Sequence, residues 1–172
     1  MLDDTVPPRD SATSSAVATA LVTALLAALL TTALAATSTP ARAAEGSSGA
    51  AGYTTQVIAS TNDARVRNDR RTLRVNACLQ RTASRQAERM ATQRRISHTA
   101  RFSAIGPRCG LRSWGENVAQ ALPDDHGRGV VRQWMGSSDH RANILRPGYR
   151  VIGAGAVRRH GSWWVVQIFG RG

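Results

Sequence analysis

The stretch W-M-G-S-S-D-H-R-A-N-I-L, Trp134–Leu145, commits this chain to one local geometry more firmly than any other. Val130, Val131 and Trp134 recur at helical spacing, which closes the apolar face of a short helix. Gly136-Ser137-Ser138 breaks that helix, and Asp139 is the expected N-cap of the next. His140 and Arg141 then fall in the first turn, Ile144 and Leu145 pin the helix to the core, and Pro147-Gly148 stops it. A histidine held between two anchored apolar clusters is a placed histidine. A capped, packed turn also serves a purely structural end, so the question is what else converges on His140.

The chain has 172 residues, enough for one domain and an appendage. Ala16–Ala36 is an almost unbroken apolar run of Ala, Leu, Val and Thr, followed by the small-residue exit Ala41-Arg42-Ala43. That is the pattern of a secretory signal peptide over residues 1–43, although its leading segment is acidic rather than basic. The run is also long enough to serve as an uncleaved N-terminal anchor. Both readings place the domain outside the cytoplasm, secreted or held at the cell envelope. Residues 44–52 then read as a flexible leader and residues 53–172 as one domain. Cys78 and Cys109 both fall in the exported part, where an oxidising destination and an even count make them a disulfide.

Charge is the second constraint. The net charge is +12, and all 23 basic residues are arginine. Codon bias toward arginine accounts for the larger share of this. The remainder fits attraction to an anionic partner, an envelope polymer or lipid headgroups. No nucleic-acid-binding motif is present, and no nucleic acid is expected as a partner.

Taken in order, Tyr53 to about Asn68 reads as a helix with Val57, Ile58, Thr61 and Ala64 on one face and Thr54 or Thr55 as cap. Asn62 and Arg65 then lie three apart on a flank, able to meet each other or a neighbouring loop, or else simply solvated. Leu73 anchors a polar linker, and Asn76 caps a second helix running to about Arg94. Its buried stripe is Leu79, Ala83, Ala87 and Met90; Arg81, Arg85 and Arg89 form a solvated stripe opposite. His98 follows the helix end behind an anchoring Ile96, able to face a cleft or to cap the last carbonyls. Phe102–Gly110 reads as loop. Gly115 lets the backbone approach a neighbour closely, and Glu116 is an isolated acid among apolar and small residues: a buried hydrogen-bond hub or a functional group. Asp124 or Asp125 caps the helix that carries Trp134. Tyr149–Val157 and Trp163–Phe169 make an antiparallel hairpin about His160-Gly161, with Gly153 and Gly155 marking close packing over the first strand. His126 and His160 sit in polar turns as surface residues.

In this order N-D-A-R (Asn62–Arg65), A-E-R-M-A (Ala87–Ala91), I-S-H-T (Ile96–Thr99), G-E-N-V-A (Gly115–Ala119), W-M-G-S-S-D-H-R-A-N-I-L, I-G-A-G and W-V-V-Q-I-F-G (Trp164–Gly170) resemble the CAP superfamily of cysteine-rich secretory, antigen 5 and pathogenesis-related 1 proteins, in its compact bacterial form. The resemblance implies an α+β fold, an α-β-α sandwich with helices flanking a small antiparallel sheet. It also implies a cleft with a His, Glu, Glu, His tetrad. By position these are His98, Glu116 and His140, with Ser137 where the other Glu of W-x-x-E stands. Members of the family hold divalent metals in this cleft, so the resemblance makes Zn²⁺ on His98, Glu116 and His140 conceivable without requiring a cofactor; the bland alternative is a hydrogen-bonded polar cluster.

Two functions compete, beside a third reading as a basic surface protein whose cleft is vestigial. One is a monomeric binding or envelope-associated protein without turnover, supported by the missing second acid, the absence of a nucleophile motif such as G-x-S-x-G and the basic surface. The other is a metal-dependent hydrolase, peptidase-like, with Glu116 as base toward metal-bound water.

Overall fold

The computed structural model describes residues 39–172, which form one compact unit. The apolar run 16–36 lies outside the described residues. Among those described, no helix is long and apolar enough to cross a membrane.

A four-stranded sheet, ordered β1-β3-β4-β2, divides the domain. β1 (Arg74–Val75), β2 (Ser113–Ala121), β3 (Val151–Arg159) and β4 (Ser162–Arg171) are its strands. β4 runs through the centre because it is apolar on both faces. Trp163, Val165 and Phe169 enter one core, and Trp164, Val166 and Ile168 enter the other. The β3–β4 hairpin closes on Arg159 and Ser162, with His160 and Gly161 both at positive φ in a tight two-residue turn. The sheet is mixed rather than wholly antiparallel, since β1 pairs with β3 in parallel. β2 was not recognisable as a strand; its run of buried residues lacks the alternation that marks a half-exposed one.

On one face lie α1 (Thr39–Val66), α4 (Gly127–Gly136) and α5 (Ser138–Leu145), packed around Val57, Val130, Trp134 and Ile144. On the other lie α2 (Ala77–Gln93) and α3 (Ile105–Cys109), around Leu79, Ala83, Ala87 and Met90. This is the three-layer arrangement expected. α2 matches its expected bounds, and Asn76 caps it by accepting the Leu79 N–H at 3.0 Å. It lies directly on β3: a side chain at Gly153 would collide with the backbone of Leu79 and Gln80, and one at Gly155 with that of Ala83 and Ser84. Arg81, Arg85 and Arg89 are exposed.

Several expectations are corrected. α1 begins at Thr39, not Tyr53, so residues 44–52 are helical; alanine enrichment carries the helix upstream, and Ala50 packs on the core. Thr54 and Thr55 are therefore interior, and Thr55 donates back to the Ala51 carbonyl. The flank of Asn62 and Arg65 is not solvated. Asn62 clamps Leu73, accepting its N–H at 2.8 Å and donating to its carbonyl at 3.2 Å. Arg65 is fully buried and donates to the carbonyls of Arg71, Ile144 and Arg146. Burial, then the neighbouring Arg150 and Arg70, hold its guanidinium below its usual pKa. Ile96 is exposed and anchors nothing. The 102–110 loop is a 3₁₀ turn, Phe102–Ala104, running into α3. His126, not Asp124 or Asp125, holds the N-cap position of α4, and Gln56 of α1 accepts the Gly127 N–H. Ser137, not Asp139, is the N-cap of α5: its backbone is extended, and Asp139 already lies in the first turn, where a carboxylate suits the helix dipole.

Cys78 and Cys109 are disulfide-bonded, with Cα atoms 5.6 Å apart, tying the start of α2 to the end of α3.

Candidate functional site

Glu116 sits on β2, an edge strand, and alternates with Val118 toward the α2 face. Its side chain is fully buried, which is costly for a carboxylate unless donors surround it. They do. Oε1 accepts from the Thr99 backbone N–H at 2.9 Å and contacts His98 Nδ1 at 2.8 Å; Oε2 accepts from the Thr99 hydroxyl. His98 thus neither caps α2 nor stands alone. Its ring lies over the carboxylate with 65% of the side chain still exposed. The loop that delivers it is held by Gln86, whose Nε2 donates to the Ser97 carbonyl at 2.5 Å.

The second half of the site is on the opposite face. Ser137 makes no capping bond to the helix backbone; its hydroxyl meets His140 Nδ1 at 3.0 Å instead. The His140 ring stands 6.4 Å from the Trp134 ring, centre to centre. Asn117, next to Glu116 and alternating to the other face, donates to the His140 carbonyl at 3.2 Å. Asn143, one turn beyond His140, donates to the Glu116 carbonyl at 3.3 Å and to Asn117 Oδ1 at 3.0 Å. Gly115 has to be glycine here, since a side chain would strike Tyr149 and Asn143.

The four positions are therefore two contacting pairs, His98–Glu116 and Ser137–His140, bridged by Asn117 and Asn143. Among the described residues no three His, Cys, Asp or Glu side chains lie close enough to hold a metal ion. Glu116, considered from sequence as a ligand beside His98 and His140, meets His98 and Thr99 through both of its oxygens. Thr99, Asn117 and Asn143 were missed as site residues. They stand inside the I-S-H-T, G-E-N-V-A and H-R-A-N-I-L motifs, yet nothing in residue type alone says which neighbour each will bond.

Comparison with known proteins agrees with this architecture. The model of the CAP family, the cysteine-rich secretory protein family, matches residues 58–169. YkwD of Bacillus subtilis strain 168 is 29% identical over 129 residues, 69% of this chain and 48% of that protein. The chain thus spans about half the length of this curated relative. An extracellular SCP-domain protein of Bacillus anthracis superposes with a TM-score of 0.58 at 24% identity, covering 72% of this chain and 41% of that one. An outer surface protein of Borrelia burgdorferi gives a TM-score of 0.60 at 18% identity, covering 69% and 92%. At these identities the structural likeness speaks for the fold.

Proposed function

The chain belongs to the cysteine-rich secretory protein (CAP) family, and we propose that it is a secreted binding protein of the cell envelope that performs no turnover. The observation that supports this reading most is the state of Glu116. A buried carboxylate whose two oxygens take three donors from His98 and Thr99 is a positioning anchor. Three of the carboxylate's roughly four lone-pair sites are taken by these contacts, which favours a fixed anchor over a mobile base. Ser137 adds a hydroxyl where a second acid would stand. Among the described residues no three His, Cys, Asp or Glu side chains are grouped closely enough for a metal, so a catalytic zinc site with three protein ligands does not fit. Divalent metal is optional and weakly held in this reading. The apolar run 16–36 with its small-residue exit supports export, and the +12 charge supports an anionic partner, polymer or lipid.

The competing hydrolase reading is tested by comparing wild type with His98→Ala, Glu116→Gln and His140→Ala on a peptide and ester panel, with and without zinc. Zinc-dependent turnover that all three variants lose overturns the binding-protein reading. Salt-sensitive binding to anionic envelope material that all three retain supports it.

A further inference from the structure

A further pocket lies on the α2 face and shares Thr99 with the Glu116 side of the site. A pocket of about 210 Å³ opens between α2 and the 99–109 arch, and its rim carries four arginines, Arg85, Arg89, Arg101 and Arg108, with Thr82 and Thr99 between them. No acidic residue lines it. Among the described residues none of the four arginines is ion-paired, and only Arg89 spends its guanidinium on a protein acceptor, Gln86.

The arch is held at both ends and in its middle. Thr99 is docked on Glu116, Cys109 is bonded to Cys78, and Trp114 Nε1 donates to the Phe102 carbonyl at 2.9 Å. Gly106 lies so close against the Trp114 ring that a side chain there would not fit. Arg101 sits at φ 56°, in the left-handed region that a non-glycine residue occupies at a cost. A braced arch thus presents Arg101 and Arg108 opposite Arg85 and Arg89, which share one face of α2 by their i, i+4 spacing. Four like charges on one rim repel one another until a counter-charge arrives.

We propose that this pocket binds a compact phosphate-bearing group, free or as a lipid headgroup. A lone carboxylate offers one charge and two oxygens, whereas a phosphate monoester offers up to two charges and three acceptor oxygens. Guanidinium forks match those oxygens in pairs, which an exposed lysine does not. The proposal rests on the anionic-partner reading above and gives that partner an address.

The test is calorimetric titration of the full chain with pyrophosphate. Arg85→Gln/Arg108→Gln is compared with Arg67→Gln/Arg132→Gln, which removes the same charge from exposed positions on the groove between α1 and α4. The pocket variant is expected to bind at least tenfold more weakly and the control to change less than twofold. Equal weakening in both reduces the effect to net charge and overturns the pocket; so does no measurable binding to either probe. The second probe is a phosphatidylglycerol vesicle, with phosphatidylcholine as the neutral comparison. Anionic vesicles bound by wild type and lost only in the pocket variant identify a headgroup; pyrophosphate binding without vesicle binding identifies a free phosphate. If envelope material still binds both double variants equally, the pocket is overturned while the binding-protein reading stands.

Discussion

On one face of the sheet, α2 lies with its backbone against Gly153 and Gly155, and the polar groups of its β2 edge gather around Glu116, Thr99 and Gln86. On the other face the polar groups run through the middle. Thr61 of α1 accepts from Gln167 of β4, whose Oε1 accepts from Asn117 of β2 in turn, and Asn143 of α5 completes the line. The first face is fixed by close approach and a covalent staple, the second by a chain of hydrogen bonds that fails if any member is removed. The site inherits both designs. His98–Glu116 depends on the α2 face, and Ser137–His140 hangs from the amide chain, so each half can be disturbed separately.

The harshest way to break the α2 face is Gly153→Val. Its side chain would have to occupy space held by the Leu79–Gln80 backbone, which cannot swing aside as a long side chain could. A loss of about 4 kcal/mol in unfolding free energy is expected, at the severe end for a single substitution. Denaturant unfolding measures it; a loss under about 1 kcal/mol would mean that α2 is less tightly seated than described.

Arg65→Ala is the counterpart on the opposite face. It leaves the carbonyls of Arg71 and Ile144 without this donor, leaves that of Arg146 to the Tyr149 N–H alone, and opens a cavity beside the end of α5. The expected loss is about 3 kcal/mol. Amide exchange should rise first in residues 138–146 and hardly at all in α2; uniform exchange across both faces would erase the distinction drawn between them.

The staple comes next. Cys78→Ser/Cys109→Ser releases a loop whose ends are 31 residues apart. Loop-closure entropy sets a ceiling of about 3.7 kcal/mol, and about 2 to 3 kcal/mol is the expected loss. The phosphate pocket should suffer more than overall stability, because Arg108 adjoins Cys109. Unchanged stability on thermal melting, with the thiols shown to be absent, would contradict the stapled-face description.

These contrasts also show where the sequence could and could not be read. Periodicity exposed α2, because Leu79, Ala83, Ala87 and Met90 repeat cleanly, and Gly153 and Gly155 announced a helix or loop packed closely on the strand. Arg65 was left between a solvated flank and a neighbouring loop, because a charged residue on a helix flank is normally solvated; only the fold brings three carbonyls around it. β2 was hidden for a related reason, since a strand buried along most of its length loses its alternation. At the site, the family resemblance pointed to His98, Glu116, Ser137 and His140. It did not indicate that Asn117 and Asn143 would stand between the two pairs, a pattern set by which side of an edge strand each residue faces.

The gentlest probe sharpens the comparison furthest. Ser137→Ala removes the hydroxyl that meets His140 Nδ1 and leaves the α5 backbone intact, because Ser137 contributes no side-chain cap. Both residues are only half-buried, so the expected loss is small, about 0.5 kcal/mol. The informative readout is the ring itself. Without its hydroxyl partner the His140 imidazole is expected to exchange tautomers and rotamers more freely, seen as altered ¹⁵N shifts of Nδ1 and Nε2. The His98 ring, held on Glu116 from the other face, should keep its shifts. If both rings respond alike, the two halves are coupled through Asn117 and Asn143 more tightly than their separate hydrogen bonds imply, and the site behaves as a single unit.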